Sequence, residues 1–142
     1  MPCRPRVLEW SARHSGEAPV GRPEKEAEAL GTRELAGQVV DVLADHLGED
    51  ILMLDIQELS PLADFFVIAS ATSGRQLRAL VEAVQEVRKS NGTPPRVEGD
   101  AESGWVLVDH GDVVTHIFSK DRREFYSLEQ VWRQARVVVR VQ

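Results

Sequence analysis

Trp105-Val106-Leu107-Val108-Asp109-His110-Gly111-Asp112-Val113-Val114-Thr115-His116-Ile117-Phe118 decides how this chain is read. Two short, nearly all-apolar runs of β-formers flank a turn at His110-Gly111-Asp112, which predicts a β-hairpin. Asp109 and Asp112 sit at that turn, and a tryptophan opens the first strand. A hairpin with a large aromatic and an acidic tip serves either as the edge of an active site or as a docking surface.

Working outward, Val97 falls in a short edge strand before the hairpin, and Ser119 after it is placed to cap a helix with Phe125, Leu128 and Trp132 turned inward. Upstream, Ser73 and Gln76 form a capping-box pair. Leu77, Leu80, Val81, Val84 and Val87 then recur at helical spacing, and Asn91-Gly92 is the expected stop. Phe65-Phe66-Val67-Ile68-Ala69 is apolar on both faces, as a central strand must be. Leu52–Ile56 is a further strand, set off by Pro61. Thr32 is a plausible N-cap for a first helix through Leu35, Val39, Val42, Leu43 and Leu47, with Gly48 as the residue after its end. The order predicts an α/β domain: a mixed sheet of about five strands covered by helices.

The chain divides into three segments. Residues 1–31 mix Pro, Gly, Arg and Glu without a sustained period and read as a flexible extension, with a short helical piece over Glu24–Leu30 and an unexpected Trp10. Residues 32–132 carry the folded pattern. Residues 133–142 place Arg133, Arg136 and Arg140 among valines and read as a loosely docked tail.

The formal net charge of −6 belongs wholly to residues 31–142, because the first thirty residues balance five basic against five acidic side chains. That deficit disfavours direct nucleic-acid binding, which needs many Lys and Arg contacts to phosphates, and favours a basic protein partner. Apolar runs such as Val137-Val138-Val139 are too short to span a bilayer. Cys3 is the sole cysteine, so the chain has no disulfide framework and no thiolate metal cluster, and a reducing cytoplasm is the expected compartment. The arginines near the start precede no apolar segment, which argues against a secretory signal.

Paired carboxylates such as Asp109 and Asp112 can hold a divalent metal, yet turn chemistry accounts for Asp112 by itself. His110 and His116 do not have a recognised metal spacing. Ala71-Thr72-Ser73-Gly74-Arg75 lacks the lysine and glycine spacing of phosphate-binding loops. Trp105 is either an aromatic rivet in the core or an interface anchor, and anchors of this type often cost about 2 kcal/mol or more on truncation. Phe125-Tyr126 poses the same choice, with Phe125 assigned to the core and Tyr126 to the surface.

Eight segments then occur in a telling order: Asp50–Ile56, Ala63–Ile68, Ala71–Gln76, Val97-Glu98-Gly99, Gly104–Asp109, Gly111–Phe118, Arg123–Tyr126 and Leu128–Trp132. Over about residues 32–132 the chain resembles the ribosomal silencing factor family (RsfS, also called Iojap). The resemblance implies a nucleotidyltransferase-like fold without enzymatic activity, cofactor or metal. It also implies binding to the fourteenth protein of the large ribosomal subunit, at the face that meets the small subunit, so that subunit joining is blocked and translation falls. On that basis Trp105, Gly111, Asp112, Val114, Phe125 and Tyr126 are expected to form a docking patch. Glu98, Asp100, Glu102 and Asp109 are expected to face basic side chains of the ribosomal protein. Self-association is a second expectation; no direct nucleic-acid contact and no membrane are expected. The rival is a divergent nucleotidyltransferase using Asp109 and Asp112 with magnesium.

Overall fold

The computed structural model describes residues 23–89 and 92–142. The readings of Cys3, Trp10 and the first part of the extension lie outside the described residues; the helix expected to stop at Asn91-Gly92 ends earlier, at Glu86, because Val87 turns to extended backbone. The elements are α1 (Pro23–Asp45), β1 (Glu49–Asp55), β2 (Phe65–Ala71), α2 (Gly74–Glu86), β3 (Arg96–Asp100), a 3₁₀ turn (Ala101–Ser103), β4 (Trp105–Asp109), β5 (Val113–Ser119), α3 (Lys120–Tyr126), α4 (Leu128–Val131) and β6 (Arg136–Val141). They form one six-stranded mixed sheet in the order β3-β4-β5-β2-β1-β6. All neighbours are antiparallel except β2 and β5.

β2 takes the central place that its run of apolar residues predicts, and every one of its residues is buried. Alternation along the strands divides the core in two. Ile51, Met53, Phe65, Val67, Ala69, Val106, Val108, Val113 and Ile117 face α1 and α2. Leu52, Leu54, Phe66, Ile68, Leu107, Val114 and Phe118 face the other way, beneath Leu62, Leu128, Ala135 and the rings of Trp105, Tyr126 and Trp132. The second face thus has aromatic side chains where the first has whole helices.

Four further expectations change. First, α1 begins at Pro23, not beyond Thr32. Proline suits a first helical position, where its missing N–H has no intrahelical acceptor to lose. Gly31 has no positive φ and so does not interrupt the helix.

Second, Leu47 rather than Gly48 takes the left-handed position at the end of α1, with φ +64°. The N–H of Gly48 reaches the Leu43 carbonyl at 2.8 Å and that of Leu47 the Ala44 carbonyl at 3.0 Å, the paired bonds of a Schellman ending.

Third, Ser127 (φ +48°) breaks the expected third helix into α3 and α4. Fourth, the expected tail supplies a sixth strand, β6, paired antiparallel with β1 from Ile51↔Val141 to Asp55↔Arg136.

The α2 cap forms as expected at Ser73, whose hydroxyl accepts the Gln76 N–H at 3.1 Å. The Gln76 carboxamide, however, serves Thr72 and the Leu47 carbonyl, tying the start of α2 to the end of α1. No helix of the described residues is long and apolar enough to cross a membrane.

Candidate docking site

Trp105 opens β4 after a stretch whose two glycines, one inside β3 and one closing the 3₁₀ turn, are required by their backbone. Gly99 (φ +89°) and Gly104 (φ +78°) occupy the left-handed region that side chains disfavour. A Cβ on Gly104 would stand 2.8 Å from the Ser119 hydroxyl and 2.5 Å from Cγ of Arg122. The Ser119 N–H in turn donates to the Gly104 carbonyl at 2.9 Å. The 3₁₀ turn is thereby pressed against the start of α3, which carries Phe125 and Tyr126.

The hairpin register is Trp105↔Phe118, Leu107↔His116 and Asp109↔Val114. Trp105 therefore has Phe118 directly opposite and His116 on the diagonal, both on its own face. Its indole stacks on Phe118 at 4.9 Å between centroids, lies 4.7 Å from Tyr126, and donates its Nε1–H to Nδ1 of His116 at 3.2 Å. Tyr126 meets Phe125 edge-on at 5.0 Å, and the Arg122 guanidinium lies 6.0 Å over Phe125. Deeper in, Phe66 packs edge-on against both His116 and Trp132. These rings run from an exposed end at Phe125, 60% accessible, through half-buried Tyr126 and Trp105 to a sealed interior.

The neighbouring edge strand supplies acid. Glu98 pairs with Leu107 and Asp100 with Trp105, so both carboxylates project on the aromatic side of the sheet. Asp100 also caps the 3₁₀ turn, accepting the Ser103 N–H at 2.8 Å, and Glu102 is exposed on that turn.

The remaining expected site residues are placed elsewhere. Val114 is fully buried and offers no surface. Phe125 and Tyr126 exchange their expected roles: Phe125 is the exposed ring, and Tyr126 is the one that packs inward on Trp105. Asp109 is buried, and its carboxylate accepts the Gly111 N–H at 2.6 Å. Gly111 (φ +93°) holds the first loop position of a two-residue turn, where a primed hairpin needs glycine. Asp112 lies 3.5 Å from Lys89, and its carbonyl accepts from Asp64 and Phe65. At a strand rise of about 3.4 Å per residue, the hairpin tip is on the order of 20 Å from Trp105. The expected patch is therefore two separate places: an aromatic end with Trp105, Phe125, Tyr126 and Glu98, and a tip with Asp109, Gly111 and Asp112.

At the tip, Nε2–H of buried His110 donates to the Val87 carbonyl at 2.7 Å, fastening the turn to the end of α2. Burial lowers the His110 pKa from its ordinary value, partly opposed by that bond and by Asp109. His116 is sealed completely, and burial pushes its pKa down to about 3. Among the described residues no group of three or more His, Cys, Asp or Glu side chains is arranged to hold a metal. His116 is the participant that residue spacing did not reveal, although counting outward from the turn puts it diagonal to Trp105.

Comparison with known proteins agrees with this architecture. The family described as "Ribosomal silencing factor during starvation" matches residues 29–142, which takes in β6. A ribosomal silencing factor of Bacillus subtilis is 42% identical over 92 residues, covering 64% of this chain and 78% of that protein. The factor of Halalkalibacterium halodurans is 36% identical over 110 residues, 77% of this chain and 94% of its own. A crystal structure of a Chromobacterium violaceum protein superposes with a TM-score of 0.67 at 35% identity, covering 71% of this chain and 85% of that one. The chain belongs to the ribosomal silencing factor family.

Proposed function

We propose that this protein binds the large ribosomal subunit through its basic fourteenth protein and, by occupying that surface, excludes the small subunit and represses translation. No bond is made or broken; the mechanism is steric. One observation carries the reading: an exposed-to-buried aromatic series, Phe125–Tyr126–Trp105, lies beside Glu98 and Asp100 on one face. Aromatic side chains supply apolar area and adjacent carboxylates orient a basic partner, the usual division of labour in an interface. The net charge of −6 favours a protein over a phosphate backbone as the contact.

The nucleotidyltransferase alternative finds less support, since Asp109 is buried against Gly111 and Asp112 is engaged with Lys89. The test is co-sedimentation with purified large subunits, followed by addition of small subunits. The unmodified protein should pellet with large subunits and prevent pairing, and Trp105→Ala should do neither while staying folded. Undiminished binding by that variant would remove Trp105 from the site. Self-association is a separate expectation, read by light scattering over a range of concentrations.

A further inference from the structure

His116 stands in the middle of β5 with no accessible surface, between Phe66, Trp105 and Phe118. An indole N–H can only donate, so the imidazole Nδ1 at 3.2 Å must accept, and the ring proton resides on Nε2. That Nε2–H has no hydrogen-bond partner among the described residues. A phenylalanine at this position would fill the same aromatic slot and bring no buried polar atom of its own, so the imidazole is a liability for packing alone. Its one polar engagement is with Trp105.

Trp105, by contrast, is half-buried, at the first residue of a strand, and next to a left-handed glycine. Apolar contact with Phe118 and Tyr126 is non-directional and leaves several indole orientations open, whereas a hydrogen bond fixes one. We propose that His116 is the positioning residue of the docking face: its Nδ1 lone pair holds the Trp105 indole in the single orientation that the partner meets. This rests on Trp105 being an anchor. Holding an anchor ready before encounter removes an ordering cost from binding. Burial keeps the ring neutral well below neutral pH, so the lone pair is available under the conditions of binding.

The test uses the full chain. In ¹⁵N NMR spectra the Trp105 indole N–H, assigned by Trp105→Phe, should exchange slowly with solvent. Rapid exchange overturns the proposal without any variant of His116. His116→Phe should lose that protection and weaken binding to large subunits roughly tenfold, within the worth of one hydrogen bond. His116→Asn, whose Oδ1 falls near the position of Nδ1, should recover most of both. A folded His116→Phe that binds within about twofold of the parent, at the low end of one hydrogen bond's worth, overturns the proposal. So does a His116→Asn that regains neither property, which would assign His116 to packing. Should His116→Phe fail to fold, indole exchange and His116→Asn decide by the same criteria. Full binding by Trp105→Ala would instead sink the docking reading, and with it the functional half of this proposal, while a protected indole would still report the bond.

Discussion

Gly99 approaches the carbonyl oxygen of Trp105 so closely that a Cβ on residue 99 would collide with it. The contact is with backbone and cannot be relieved by a rotamer change, and the φ of +89° adds a second penalty. Gly99→Ala should therefore destabilise the fold by about 2 kcal/mol or more, read as a lower urea midpoint at unchanged slope. Because the displaced group is the peptide of Trp105, large-subunit binding should fall as well, beyond what the unfolded fraction explains. A midpoint equal to the parent's would show that β3 has room it does not have here.

Leu47 offers the opposite case. It holds a left-handed conformation while 76% exposed, so it strains the backbone and buries little in return. Leu47→Gly should raise stability by roughly 1 kcal/mol, the left-handed penalty less the added freedom of the unfolded chain. Thermal or urea unfolding checks it; a loss of stability would mean that Leu47 makes a contact worth more than the strain.

Stability should depend on acid in a defined direction. His116 titrates in the unfolded chain near the ordinary 6.5 and in the folded chain near about 3. Between those values the unfolded state binds the extra proton, so the contribution is complete above about pH 6.5 and is lost as pH falls toward 3. The limiting slope is about 1.4 kcal/mol per pH unit for one such ring. His110, also lowered by burial, acts with the same sign. Urea midpoints taken from neutral pH to about pH 5 should decline for the parent and decline less for His116→Asn. Parallel curves for the two proteins would rule this out.

Phe125→Ala separates binding from folding. The ring is mostly exposed and touches only Tyr126 and Arg122 in its aromatic and cationic contacts. Its removal should change stability by less than about 0.5 kcal/mol yet weaken subunit binding roughly tenfold, as truncation of an exposed aromatic anchor does. Equal loss of stability and binding would mean that the ring supports the fold and not the partner.

The hairpin and β2 were legible because their physics is local. Gly111 is the residue a tight primed turn needs, and Phe65–Ala69 is apolar at every position, which only a strand covered on both faces tolerates. From the turn outward, the register comes by counting. β6 was not legible: Arg136 and Arg140 among valines suit a tail as well as an edge strand, and edge strands carry charge to discourage further pairing. Nor was the exchange of Phe125 and Tyr126, because it depends on a left-handed serine at 127 that no propensity favours. The two-part division of the expected patch has a different origin: Trp105 and the turn at Gly111 stand at opposite ends of one extended strand, and Val114 points to the core because its neighbours on β5 alternate.

Two seams of the sheet join distant stretches of chain: the parallel pairing of β2 with β5, from Phe65↔Val113 to Ala71↔Ser119, and the pairing of β6 with β1 at the outer edge. The others, β1 with β2 and the run β3–β4–β5, can zip from short connections. Of the two long seams only the parallel one unites these preassembled halves, since β6 merely extends one of them. It therefore sets the pace: loop closure across α2, β3 and β4 must precede it, a late and entropically demanding event in assembly. Until it closes, each half exposes part of both cores, and that interval is when this chain is most vulnerable to aggregation.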